Sequence, residues 1–306
     1  MVTKLMIALL MGTTLGSATA QAPVADTETT LAAQTRFLDI DGGRIAYDDT
    51  GGNGPVVLAI PGMGDLRSEY RMLRPELQFA GYRVVTMDVR GFGESSARWN
   101  DYSARAVGRD ALALLEHLHA GPAVILGNSF AAGSALWAAQ DAPAQVSGVV
   151  LLGPIVRDQQ SSWFAKLALK VGFAGPWRVG FWTTYWDSLF PSAKPADHAR
   201  VRAALTRNLS EPGRMTALHA MINLSKAETA AILSTSRIPA LIVMGTRDPD
   251  FPDPVAEARW LGGELGADIL MVEGAGHYPQ TEMPHRVAPG LLSFMSDLTG
   301  RRSNLR

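Results

Sequence analysis

The chain's apolar positions come in short unbroken runs. They are Val56-Val57-Leu58-Ala59-Ile60, Val84-Val85-Thr86-Met87, Ala123-Val124-Ile125-Leu126, Val149-Val150-Leu151-Leu152, Ala240-Leu241-Ile242-Val243-Met244 and Ile269-Leu270-Met271-Val272. Runs this short, with no polar alternation, read as strands buried on both faces of a parallel sheet. Two shorter segments precede them, Arg36–Ile40 and Arg44–Asp48, joined by a turn at Asp41-Gly42-Gly43. Helical patterns fall between the strands at about 67–80, 103–119, 130–141, 253–265 and 285–298. The alternation predicts an α/β fold: a mostly parallel eight-stranded sheet, right-handed crossovers and helices on both faces.

One interval breaks the rhythm. From Leu152 to Pro239 the chain is far longer than one crossover helix requires, and it is dense in aromatics, holding Trp163, Trp177, Trp182 and Trp186 of the chain's 7 tryptophans. An insertion at the carboxyl edge of a sheet is where lids over active sites sit. The expected organisation is an α/β core over 35–154 and 237–306, with the insertion over 155–236 as a lid. Most lid aromatics would build the lid's own small core. Trp163, Trp182, Tyr185 and Trp186 are the expected substrate contacts.

Composition narrows the function. With 28 Lys+Arg against 29 Asp+Glu, nothing favours nucleic acid as a partner. A 47% hydrophobic and 19% charged chain is globular. It has no cysteine, so disulfides, thiolate metal sites and a cysteine nucleophile are excluded. The first residues carry Lys4, an apolar run from Leu5 to Met11 and small residues ending Ser17-Ala18-Thr19-Ala20, the three parts of a secretory signal peptide over 1–20. A mobile leader over 21–34 would follow. The expected location is secreted or periplasmic, without stable membrane insertion after cleavage; an uncleaved N-terminus acting as a tether is the alternative. The sequence does not address oligomeric state.

The chemistry gathers in strand-end loops. Gly127-Asn128-Ser129-Phe130-Ala131 lies directly between a strand and a helix, where a serine on a tight turn exposes its hydroxyl. A hydroxyl needs a base to take its proton, and His277, in the Gly274-Ala275-Gly276-His277 loop after the last strand, is the best placed of the six histidines. His117 and His119 lie on a helix, His198 and His219 in the insertion, and His285 at the start of the last helix. The base needs an orienting carboxylate. Asp248 in Gly245-Thr246-Arg247-Asp248-Pro249 is the choice, with Asp250 and Asp253 as rivals and Asp253 better explained as a helix cap. After the third strand, Pro61-Gly62-Met63-Gly64 can turn its amides toward a ligand oxygen. The Met63 and Phe130 amides are the expected oxyanion hole. Gly91-Phe92-Gly93-Glu94-Ser95-Ser96 lacks the third glycine of a dinucleotide loop.

In these motifs, together with Asp88-Val89-Arg90-Gly91-Phe92-Gly93-Glu94-Ser95, the chain resembles the α/β-hydrolase superfamily from about residue 35 onward. Relatives commonly read His-Gly-x-Pro where this chain has Pro61-Gly62-Met63-Gly64, a departure that removes a histidine from the oxyanion loop. The resemblance implies Ser129 as nucleophile, His277 as base, Asp248 as acid and a helical cap between strands six and seven. Haloalkane dehalogenases and epoxide hydrolases carry Asp at the elbow, so Ser129 argues against both. The expectation is a serine hydrolase that cleaves a small apolar ester or related acyl compound through an acyl-enzyme, without metal or cofactor. A carbon–carbon bond hydrolase is an alternative, since Asn128 is similar to that group's elbow. A cofactor-free haloperoxidase or perhydrolase on the same triad is another. The alternative from a different class is a non-catalytic binding protein on a hydrolase scaffold.

Overall fold

The computed structural model describes residues 34–159, 163–192 and 194–303. The expected signal peptide, and the leader up to residue 33, lie outside the described residues. Eight strands form one sheet: β1 (Arg36–Ile40), β2 (Gly43–Asp49), β3 (Val56–Ile60), β4 (Arg83–Met87), β5 (Ala123–Asn128), β6 (Val146–Leu152), β7 (Ala240–Gly245) and β8 (Asp268–Val272). Their order is β1-β2-β4-β3-β5-β6-β7-β8. β2 runs antiparallel to both neighbours, and all other pairs are parallel.

The unbroken apolar runs are explained by burial on two sides. In β3, Val57 and Ala59 enter one core cluster while Leu58 and Ile60 enter the other. On the first face pack α1 (Arg74–Phe79) and α11 (Pro284–Ser303), the latter just after the short α10 (Pro279–Glu282). On the second pack α2 (Ala104–His117), α3 (Phe130–Asp141) and α9 (Pro254–Leu265). The single helix expected over 67–80 is instead a 3-10 turn at Arg67–Arg71 followed by α1. Pro75 in the first turn of α1 explains the break: it has no N–H to continue a preceding helix but suits the start of a new one.

Between β6 and β7 the described residues form α4 (Trp163–Ala174), α5 (Arg178–Ser188), α6 (His198–Leu209), α7 (Arg214–Asn223) and α8 (Ala227–Leu233). Charged and polar ties hold this cap to the core. Arg71 grips Asp197 through two bonds of 2.7 Å. Asn208 exchanges two 2.9 Å bonds with the Gly93 backbone, and Arg214 donates to the Gly93 and Ser95 carbonyls. The Gly91–Ser95 stretch is thus a docking edge for the cap. Among the described residues no helix is long and apolar enough to cross a membrane.

The strand order reverses direction between β3 and β5, where the loops at their carboxyl ends diverge and leave a crevice. That crevice is flanked by Pro61–Asp65 on one side and Ser129 on the other.

Candidate active site

Ser129 sits between β5 and α3 at φ 56°, ψ −119°, a strained conformation for a side-chain-bearing residue. Its turn is held by its own amide, which donates to the Leu152 carbonyl at 2.8 Å, and by its carbonyl, which accepts from Ile155 at 3.1 Å. The turn closes only because position 127 is glycine: a Cβ there would come within 2.2 Å of the Ala131 carbonyl oxygen. The small residues flanking the serine are therefore a steric requirement of the elbow.

Two loops away, His277 Nδ1 lies 2.8 Å from Asp248 Oδ2, with both side chains buried. Asn128, the residue before the serine, donates through Nδ2 to the carbonyls of Leu152 (3.0 Å) and His277 (3.1 Å). It thereby ties the elbow to the histidine loop. Asp253 caps α9, accepting from the Ala256 amide at 2.9 Å, and takes no part in the cluster. His198 stacks on Trp186 at 4.7 Å and pairs with Asp187 instead of Asp248.

Asp250 enters the site from a direction that the sequence did not indicate. Its Oδ2 lies 3.7 Å from His277 Nε2, the nitrogen on the far side of the ring from Asp248. The Tyr185 hydroxyl reaches its two oxygens at 2.6 and 2.8 Å, and its own amide donates to Asp248 Oδ1. Burial pushes the imidazole down, but the carboxylates of Asp248 and Asp250 outweigh it and raise His277 to about 9. Burial raises Asp250 as well, with the neighbouring Asp248 adding to the effect. Oxygen and nitrogen atoms of Asp248, Asp250 and His277 lie within 4.8 Å of one another, so this trio has the reach to ligate a cation. In this arrangement Asp248 and His277 are committed to each other.

A second buried acid pair supports the glycine loop after β3. Glu69 accepts from the Gly62 amide at 2.9 Å and from Gln280 Nε2 at 2.8 Å, joining that loop to the segment just past His277. Its neighbour Asp65 accepts from Trp186 Nε1 at 2.9 Å and from the Leu66 amide. Burial holds both carboxyls above their usual range, most strongly at Glu69. Between these anchors the Met63 amide has no hydrogen-bond partner among the described residues, and neither does the Phe130 amide that opens α3.

Helix α5 ties the cap to these loops. At a spacing of three and then one residue, Trp182 donates to the Gly64 carbonyl (3.3 Å), Tyr185 to Asp250, and Trp186 to Asp65. All three side chains are buried. The side chains expected to contact substrate thus spend their polar atoms on the loops that carry the site. Trp163 differs from them: it is 65% exposed on α4.

Comparison with known proteins agrees with this architecture. The family described as alpha/beta hydrolase fold matches residues 55–282. The chain belongs to that family. Among curated alpha/beta hydrolase relatives, the 3-oxoadipate enol-lactonase 2 of Acinetobacter baylyi is 25% identical over 214 residues, covering 66% of this chain and 74% of its own. Among solved structures, a bromoperoxidase from Bacillus anthracis superposes with a TM-score of 0.74 at 21% identity, covering 86% of this chain and 99% of the other. A thermophilic esterase from Thermogutta terrifontis superposes with a TM-score of 0.68 at 23% identity, covering 87% and 99%. At these identities the two structures establish the fold alone.

Proposed function

We propose that this alpha/beta hydrolase is a serine hydrolase of small apolar carboxylic esters or lactones, acting through an acyl-enzyme. The observation that carries the reading is the strained Ser129 elbow, tied by Asn128 to a histidine whose Nδ1 is engaged by Asp248. In this mechanism His277 Nε2 takes the Ser129 proton as Oγ attacks the substrate carbonyl. The oxyanion is stabilised by the Met63 and Phe130 amides, whose directions are fixed before substrate arrives. Asp248 holds the imidazole tautomer that leaves Nε2 available and stabilises the imidazolium as it forms. His277 then returns the proton to the leaving group, and water repeats the sequence on the acyl-enzyme.

The 3-oxoadipate enol-lactonase relative supports including lactones, and the buried Trp182, Tyr185 and Trp186 of the cap support an apolar substrate. The test is a fluorophosphonate probe followed by a screen of nitrophenyl esters of rising chain length and of aliphatic lactones. Labelling mapped to Ser129, with turnover of at least one of these classes, supports the reading. Absence of labelling in folded protein removes it in favour of a binding protein on this scaffold.

A further inference from the structure

The cap carries a surface that the proposed reaction does not use. Of the eight large hydrophobic side chains exposed among the described residues, four lie within 163–177: Trp163 (65%), Leu167 (49%), Val171 (53%) and Trp177 (56%). The first three fall at i, i+4 and i+8 on α4 and form one ridge. The indole of Trp177 is drawn back toward this ridge by a bond from its Nε1 to the Val171 carbonyl. The opposite side of α4 is already packed: Phe173 meets Phe181 edge-on at 5.7 Å and lies 6.3 Å from Trp182. The outward ridge is therefore not a core face left over from folding.

Its rim has one sign of charge. Lys170 and Arg178 fall on or beside α4, and no acid occurs between Asp158 and Asp187. Lys170 and Arg178 are exposed. We propose that this face of the cap docks on an anionic phospholipid surface, with α4 lying in the plane of the headgroups. Three features favour that occupant. Tryptophan at both ends of an apolar ridge suits the boundary between headgroup and acyl chain. A rim of cations complements anionic headgroups. At 12 residues, α4 is about 18 Å long, which fits along a bilayer surface and is too short to span one. A second copy of the chain fits less well, because a two-fold contact would set Lys170 and Arg178 against their own equivalents.

The docking does not depend on the reaction, so it is tested in the full chain carrying Ser129→Ala. Flotation with phosphatidylglycerol/phosphatidylcholine vesicles is compared with phosphatidylcholine alone, at rising salt. Two further variants are made on this background, Trp163→Ser/Leu167→Ser/Val171→Ser and Lys170→Gln/Arg178→Gln, with far-UV circular dichroism to confirm folding. Each variant keeps the same N-terminus, so any contribution from residues 1–33 cancels. The expected result is salt-sensitive binding to anionic vesicles that the serine variant abolishes. The glutamine variant should weaken it about fivefold for each cation removed. Equal binding by all three proteins, or binding by none, overturns the proposal. So does concentration-dependent dimerisation that the serine variant abolishes while vesicles stay unbound.

Discussion

Replacing Asp250 by Asn should shift the enzyme's pH profile toward acid and raise its activity at neutral pH. His277 titrates at about 9, so an unaltered site has about one neutral imidazole in a hundred at pH 7 and half at pH 9. Since only the neutral form can take the serine proton, kcat/KM should climb about tenfold per pH unit below 8 and level off above 9. Asp250 contributes a charge 3.7 Å from Nε2. Two unit charges at that separation interact by about 1 kcal/mol in water and about 4 kcal/mol at an effective dielectric of 20, or about one to three pK units. Asn keeps the size and still accepts from Tyr185. The variant's half-maximal pH should fall by at least about one unit, and its kcat/KM at pH 7 should rise about tenfold with a similar plateau. Initial rates on a nitrophenyl ester, followed in a pH-stat, measure both profiles. Tyr185→Phe, which strips the bonds stabilising the Asp250 charge, should move the profile the same way by less. An unaltered enzyme half-maximal near pH 6.5, or a folded Asp250→Asn enzyme with an unmoved or alkaline-shifted profile, would refute the reasoning.

Ser129→Ala should abolish both fluorophosphonate labelling and ester turnover while thermal unfolding stays cooperative; turnover within tenfold of the unaltered enzyme would remove Ser129 from the nucleophile role. Asp248→Asn should leave the fold intact and cut kcat by about 10⁴, by analogy with serine proteases, because the amide favours the wrong imidazole tautomer; a mild effect there would transfer the orienting role to another carboxylate. Glu69→Ala removes the acceptor of Gly62 and the partner of Gln280. It should cost about 1–3 kcal/mol of stability for each donor left unsatisfied, seen by chemical denaturation, and should lower kcat by loosening the Met63 loop.

The candidate triad could be read because each proposed member follows a strand whose apolar run is visible on its own. The elbow also carries a local steric signature, the glycine two residues before the serine. The long-range ties of the network were not legible. Tyr185 and Asp250 are 65 residues apart, and Glu69 and Gln280 are 211 apart. Neither pair has a periodicity or motif that joins it. A tryptophan in an insertion reads equally as core, as pocket wall or as a hydrogen-bond donor. Only the placement of α5 over the glycine loop makes Trp182 and Trp186 donors, and only the outward turn of α4 leaves Trp163 exposed. The break at Pro75 could have been read locally; α11 was read across Pro289 over 285–298, and only its run on to Ser303 went unread.

Cap insertions in this fold are often pictured as exchangeable parts, fitted to a conserved chassis to change what it accepts. The three donors on α5 make that picture inaccurate here. A transplanted cap lacking Trp182, Tyr185 and Trp186 would leave Asp65 and Asp250 as buried carboxylates without those partners and release the glycine loop from above. The cap and the two loops it holds are therefore one heritable unit. Divergence of this chain toward a new specificity would have to proceed by substitution around those three positions, with the helix that carries them retained.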